Sequence, residues 1–208
     1  MLERLVHDAA ALGVPLSEHD GARLRQLLEE LSRWNQRFNL TGITDLESMV
    51  THHLLDSLAV HRYLHGQSIA DVGTGAGFPG LPLALVNPER RFTLIDSNGK
   101  KIRFVSHAVR TLGLMNVEPL QARVETLRPE RPFDTVLARA FAPLPQLLEA
   151  VAPLCGSSTR VLAMKGKWPQ SELEGLPRLW RVAESHTLSV PGLAEARCLI
   201  VLISGTAH

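Results

Sequence analysis

The 208-residue sequence has little cysteine, little net charge and no long apolar run. Its two cysteines, Cys155 and Cys198, are isolated in apolar stretches, which predicts small core residues rather than a disulfide or a metal pair. The net charge of +1 excludes a protein that coats nucleic acid by bulk electrostatics. Any nucleic-acid partner would therefore have to meet a local basic patch.

The apolar runs are also too short for a membrane span. The longest, such as ARCLIVLI near the C-terminus, fall far short of the roughly 20 residues that cross a bilayer. The opening MLERLVHDAA carries charges where a signal peptide would have its apolar segment. We therefore expect a cytoplasmic protein with no membrane partner.

The first part of the chain has a helical pattern and no strand signal. Leu24, Leu27 and Leu31 recur at helical spacing, with charged residues on the other face. Ser17 precedes them as a candidate N-cap. The pattern predicts a small helical region of about three helices over residues 1–65.

From residue 66 to residue 208, short apolar runs alternate with amphipathic stretches, which is typical of a parallel sheet with helices on both faces. Two later apolar runs, joined by PGLAE, predict an antiparallel hairpin at the edge of that sheet. The predicted fold class is therefore α/β, with a Rossmann-like, mostly parallel sheet and an antiparallel C-terminal hairpin.

A glycine-rich turn, IADVGTGAGFPG, follows the first predicted strand. Such a turn lets the backbone approach a ligand at the carboxyl end of the sheet. The dinucleotide fingerprint is G-x-G-x-x-G, whereas this turn has Asp71 followed at two-residue spacing by Gly73, Gly75 and Gly77. The spacing favours S-adenosylmethionine; a dinucleotide site and a turn without ligand are the alternatives.

Two further positions agree with a nucleoside-containing cofactor. Asp96 ends the second predicted strand, where a carboxylate would accept hydrogen bonds from ribose hydroxyls. Val124 and Glu125 follow the third strand, where an adenine would lie. The pattern therefore predicts one site built from three strand ends.

Several longer motifs identify the chain as similar to a known family. They are NLTGITD, THHLLDSL, DVGTGAGFPGLPLAL, TLIDSNGKKIRF, ARVE, FDTVLARAFAPL and LAMKGK. In this order and spacing they resemble the glucose-inhibited division protein B family, the 16S rRNA guanine-N7 methyltransferases, from about Leu31 to Ile203. The resemblance implies a class I S-adenosylmethionine-dependent methyltransferase acting on N7 of one guanine, the equivalent of position 527.

The resemblance also implies particular site residues. It places Phe78 on the cofactor from the glycine turn and Arg139 at the site. With the residues derived above, the predicted cofactor-binding set is Gly73, Gly75, Gly77, Phe78, Asp96, Val124, Glu125 and Arg139.

Guanine N7 carries a lone pair at neutral pH, so the reaction needs no general base. The sequence accordingly lacks the N-P-P-Y, D-P-P-Y and Pro-Cys motifs of other nucleic-acid methyltransferases. A donor to guanine O6 would orient the base. Arg139 and then Arg123 are the predicted catalytic donors, and structural pairing with Glu125 or Asp134 is the alternative for either.

The predicted RNA contacts are Lys100, Lys165, Lys167, Asn39 and His53. Trp34, by its spacing from Leu31, fits a core residue. No H-E-x-x-H or Cys/His cluster accompanies the nine histidines, so no metal is expected.

The expected partner is 16S rRNA, within a small-subunit particle, and the expected state is a monomer. Two other functions stay open: a small-molecule methyltransferase on the same fold, and an assembly factor that binds S-adenosylmethionine without catalysis.

Overall fold

The structure is a computed structural model that describes residues 2–205. Within this part of the chain, seven strands form one sheet in the order β3-β2-β1-β4-β5-β7-β6. Their bounds are β1 Ser68–Val72, β2 Arg91–Asp96, β3 Val117–Gln121, β4 Thr135–Arg139, β5 Arg160–Lys165, β6 Trp180–Thr187 and β7 Cys198–Ser204. Strands β1 to β5 are parallel.

Helices pack around the sheet and precede it. Their bounds are α1 Leu2–Ala11, α2 Glu18–Phe38, α3 Leu46–Met49, α4 Asp56–Leu58, α5 Gly80–Leu85, α6 Gly99–Leu112, α7 Leu144–Val151 and α8 Gln170–Glu174. A π-helical turn, Val50–Leu55, joins α3 to α4, and 3-10 turns lie at His61–Tyr63, Val124–Thr126 and Ala152–Leu154. No helix within residues 2–205 combines the length and the apolar character needed to cross a membrane.

Helix α2 begins where the sequence predicts. Ser17 adopts an extended conformation and its Oγ accepts the N–H of Asp20, so the predicted N-cap is confirmed. The helix ends at Phe38, and the next residue, Asn39, closes the last turn with a left-handed φ of 50° and an N–H bond to the Asn35 carbonyl. Asn39 therefore has a structural role at the helix end, apart from any contact with RNA.

Each face of the sheet is covered by its own apolar layer. On one face the leucines of α1 and α2 share a core with Phe92 of β2 and Phe104 of α6. On the other face α7 packs against β1, β4 and β5. Because the N-terminal helices and the sheet share one core, the division at residue 65 stays a prediction. Trp34 is half-buried and packs against this core, its ring centroid 5.7 Å from that of Phe104.

The predicted C-terminal hairpin is confirmed, but its order in the sheet differs from the simplest expectation. Strand β7 inserts between β5 and β6 and is antiparallel to both, so β6 is the edge strand. The reason is burial, because β7 is apolar and buried on both faces from Cys198 to Leu202, whereas every side chain of β6 is exposed or half-buried.

Both cysteines are free thiols, with Cys198 buried and Cys155 half-buried. Burial raises the pKa of Cys155 to about 12. Neither is a reactive thiolate at neutral pH, which agrees with the predicted core role.

Candidate active site

A buried carboxylate organises the glycine turn that follows β1. Asp71 is fully buried, and its Oδ2 accepts the Thr74 hydroxyl at 2.6 Å and the Gly80 N–H at 2.9 Å. These two bonds tie the middle of the turn to the first residue of α5. Burial raises the pKa of Asp71 to about 6, because the charged form has lost its water. Its Oδ1 has no hydrogen-bond partner within residues 2–205.

The glycines of the turn are required by its backbone. Gly73, Gly75 and Gly77 all have positive φ, between 61° and 89°. A Cβ at Gly73 would lie 2.5 Å from the ring of Phe141, and one at Gly75 would meet nothing nearer than 3.9 Å. The turn therefore presents bare backbone at the end of β1.

Beside this turn lies a cavity of about 280 Å³, here called the loop cavity. It is lined by Gly73, Ile95, Asp96, Ser97, Lys101, Ala122, Arg123, Val124, Glu125, Ala140 and Phe141. Of the predicted cofactor residues, Gly73, Asp96, Val124 and Glu125 meet here. The walls combine apolar side chains with two carboxylates, which suits a nucleoside with hydroxyl groups.

Asp96 connects the second strand to the turn. Its Oδ2 accepts the Gly75 N–H at 2.9 Å and its Oδ1 accepts the Asn98 N–H at 2.8 Å. A carboxylate has about four acceptor positions, so Asp96 keeps capacity for a ligand hydroxyl. Lys101, which the sequence did not single out for the cofactor, also lines this cavity.

A second cavity, of about 440 Å³, lies next to the first and is here called the arginine cavity. Its lining residues are Ile43, His52, His53, Asp56, Arg139, Ala140, Met164, Lys165, Gly166 and Arg197. The two cavities share Ala140, which follows β4 with a left-handed φ of 51°. The two cavities therefore meet at this residue.

Arg139 and Arg197 meet at one carboxylate in the arginine cavity. Arg139 Nη1 donates to the His52 carbonyl and to Asp56 Oδ2, both at 3.0 Å. Arg197 Nε donates to Asp56 Oδ1 at 3.1 Å. The ion-pair partner of Arg139 is thus Asp56, and neither Glu125 nor Asp134 as the sequence suggested. Arg123 lines the loop cavity instead, so its role at O6 stays a prediction.

His53 and Phe78 support Arg139 from within the protein. Their rings stack at 4.9 Å, and the Arg139 guanidinium carbon lies 5.9 Å from the Phe78 ring centroid. Burial, and secondly the charge of Arg139, lowers the pKa of His53 to about 4, so its ring is neutral at pH 7. Phe78 is buried, and its predicted contact with the cofactor stays a prediction.

The predicted RNA contacts are dispersed. Lys165 Nζ donates to the Ala142 carbonyl at 3.0 Å and to Glu172 at 2.7 Å, so this lysine is paired inside the chain. Lys100 and Lys167 are exposed on the side of the sheet where both cavities open.

The sequence missed Asp56 and Arg197. Asp56 belongs to the quoted motif THHLLDSL but had no assigned role, and Arg197 lies in the β6–β7 connection without a local signal. Within residues 2–205, no three side chains among the histidines, cysteines, aspartates and glutamates are placed to share a metal ion.

The sheet order and the glycine turn beside an acidic strand end define a class I S-adenosylmethionine-dependent methyltransferase. Coclaurine N-methyltransferase, solved with N-methylheliamine and SAH, superimposes with a TM-score of 0.60 at 12% identity, over 98% of both chains. A SAM dependent methyltransferase from Aquifex aeolicus gives a TM-score of 0.59 at 20% identity, over 83% of this chain and 97% of the other. At these identities the likeness shows the fold.

The chain belongs to the GidB family, rRNA small subunit methyltransferase G, whose profile matches residues 20–201. A relative with the name ribosomal RNA small subunit methyltransferase G, from Aeromonas hydrophila, is 44% identical over 96% of this chain and 94% of its own. Another relative with that name, from Saccharophagus degradans, is 46% identical over 96% of this chain and 89% of its own. The family predicted from the motifs and the prediction of S-adenosylmethionine as the cofactor are therefore confirmed.

Proposed function

We propose that this protein methylates N7 of one guanine in the small-subunit rRNA, at the position equivalent to 527. The observation that carries the proposal is the pair of adjoining cavities that share Ala140, one suited to the cofactor and the other lined by two arginines. A base in the arginine cavity would lie directly beside a cofactor in the loop cavity.

The loop cavity fits S-adenosylmethionine. Gly73 lines the cavity beside the Phe141 ring, Val124 offers an apolar wall for an adenine, and Asp96 and Glu125 offer acceptors for hydroxyls. When bound, the cofactor supplies an activated methyl group on a sulfonium. The protein's own contribution is to fix where that group lies relative to Ala140.

The arginine cavity suits a guanine. Ile43 and Met164 provide apolar contact for the base, and the Arg139 guanidinium provides donors for O6, which guanine presents next to N7. Since N7 is already nucleophilic, no residue has to remove a proton, and His53, neutral at pH 7, needs no catalytic role. The catalytic effect would come from alignment of the reacting atoms, an effect that can reach about 7–11 kcal/mol.

Contacts with the rest of the RNA would come from the rim. Lys100 and Lys167 are exposed and able to reach phosphates, and Asn39 is exposed at the end of α2. Lys165 would have to exchange Glu172 for a phosphate. We propose that the partner is 16S rRNA in a small-subunit particle, bound by a monomer in the cytoplasm.

Mass spectrometry of 16S rRNA from cells with and without this protein tests the function. We expect one N7-methylguanosine to disappear with the gene and to return when purified protein and S-adenosylmethionine are added to undermethylated subunits. An unchanged set of modified nucleosides would overturn the proposal. Methyl transfer in RNA-free extract would favour a small-molecule substrate, and cofactor binding without any transfer would favour an assembly factor.

Replacing Asp96 with alanine should weaken cofactor binding. The change removes the acceptor for a ligand hydroxyl and releases the Gly75 N–H that shapes the turn. Loss of a hydrogen bond to a charged group costs about 1.5–3 kcal/mol, or about 10- to 100-fold in Kd. Calorimetric titration with S-adenosylhomocysteine measures this, with Glu118→Gln, an exposed acid on β3, as the control. Equal affinities in both variants would remove Asp96 from the site.

A further inference from the structure

A single buried carboxylate holds two guanidinium groups at the wall of the arginine cavity. The Asp56 side chain is 4% exposed, and each of its oxygens accepts from a different arginine. Arg139 and Arg197 come from sequence positions 58 residues apart, and their side chains are 22% and 21% exposed. Both arginines therefore line the cavity while each is bound to the buried Asp56 carboxylate. Asp56, Arg139 and Arg197 are here called the arginine fork.

The backbone around Asp56 is specialised. The π-helical turn Val50–Leu55 is followed directly by Asp56, whose N–H donates to the Thr51 carbonyl five residues earlier. Such turns are rare and occur often at functional sites. This one brings the His52 carbonyl and the Asp56 carboxylate to the same guanidinium, so that Arg139 is held at two points.

The two arginines of the fork have hydrogen-bond donors that are not used within the protein. A guanidinium carries five N–H groups and no acceptor. Within residues 2–205, Arg139 uses only Nη1, while Arg197 uses Nε for Asp56 and Nη1 for the Ala196 carbonyl. Both arginines line the cavity, and their remaining N–H groups make no hydrogen bond within these residues. A ligand with an acceptor would be favoured there and one with a donor would be rejected.

We propose that Asp56 is a positioning residue that holds Arg139 and Arg197 side by side, so that together they recognise O6 of the target guanine and reject adenine. This rests on the proposed function. Guanine presents the O6 acceptor next to N7, whereas adenine presents an N6 amino donor at the same place. Without the carboxylate, the two cations would repel each other and lose this shared orientation.

The arginine fork is tested by combining a variant of the protein with a changed base in the substrate RNA. Small subunits are reconstituted with 16S rRNA carrying 2-aminopurine, which keeps N7 and lacks O6, in place of the target guanine. Single-turnover methyl transfer is measured at saturating S-adenosylmethionine. We expect removal of O6 to slow the wild-type protein about 10- to 100-fold, and to slow Asp56→Asn less than about threefold, because the contact is already lost. A purely structural role for Asp56 would lower both rates and leave their ratio unchanged.

Three controls keep the outcomes distinct. Inosine keeps O6 and N7, so the ratio of the wild-type rate to the Asp56→Asn rate should be the same with inosine as with guanine at the target position. Glu184→Gln changes an exposed ion pair with Arg160 at the sheet edge and should give the wild-type response to loss of O6. If Asp56→Asn does not fold, Arg197→Gln gives the same comparison. Equal O6 effects in wild type and the folded variant would overturn the fork alone. Absence of N7 methylation by the wild type would overturn the proposed function as well.

Discussion

Arg139→Ala should abolish most methyl transfer while the protein stays folded and binds its cofactor. Loss of one preorganised donor at a reacting group typically costs about 100- to 1,000-fold in kcat, and the structure places this guanidinium in the arginine cavity, outside the lining of the loop cavity. Asp56 keeps Arg197 as its partner, so the buried charge is not left alone. Transfer of tritiated methyl to undermethylated small subunits at saturating S-adenosylmethionine measures the effect.

Two companion variants make the Arg139 result specific. Arg160→Ala removes an arginine of the same sheet that also pairs with a carboxylate, but at the opposite strand end, and should retain full turnover. Arg139→Lys keeps the charge without the planar set of donors and should recover only part of the rate. Unchanged turnover in Arg139→Ala would exclude this residue from the site. A large loss of S-adenosylhomocysteine affinity would instead support the cofactor role that the sequence also assigned to it.

Asp71→Ala should destabilise the fold and disorganise the glycine turn. The change leaves the Gly80 N–H and the Thr74 hydroxyl without an acceptor at a fully buried position. Each such buried group costs about 1–3 kcal/mol, so we expect a loss of about 2–4 kcal/mol in the free energy of unfolding. Urea unfolding at pH 7 measures it, and S-adenosylhomocysteine binding should be lost in parallel. A variant as stable as wild type would contradict the role of Asp71 as organiser of the turn.

The stability of the same site should depend on pH with a sign opposite to that of most carboxylates. The pKa of Asp71 is raised from 3.8 to about 6, so the folded state takes up its proton more readily than the unfolded state. Its stabilising contribution is therefore complete below pH 3.8 and is lost as the pH rises through about 6.

Asp71→Asn isolates this effect because asparagine has no proton to gain. From pH 7 to pH 4, the free energy of unfolding of the wild type should rise relative to Asp71→Asn by about 2 kcal/mol, because the unfolded carboxyl is still partly ionised at pH 4. His53 works in the opposite direction, since its lowered pKa of about 4 removes stability as the pH falls, but this contribution is common to both proteins and cancels in the difference. A difference independent of pH would mean that Asp71 titrates normally.

Local chemistry made much of this protein predictable. The N-cap at Ser17, the alternation of strands and helices and the glycine turn depend on neighbouring residues, and each lies where the sequence placed it. Gly73 and Asp96 also meet at one cavity, because the carboxyl ends of adjacent parallel strands lie at one edge of the sheet. Short-range spacing combined with a parallel topology was therefore sufficient to predict that these two residues line one cavity.

By itself, then, the sequence determined the fold class, the family and the loop cavity, since these follow from periodicity, turn conformation and ordered motifs. Only the tertiary structure decided the arginine cavity. Asp56 lies at the start of α4, directly after the π-helical turn, whereas Arg139 ends β4 and Arg197 lies in the β6–β7 connection. No local pattern relates the three residues. Their meeting depends on the insertion of β7 between β5 and β6 and on the packing of the N-terminal helices against the sheet. Contacts between residues so distant in sequence exist only once the core that joins them has formed.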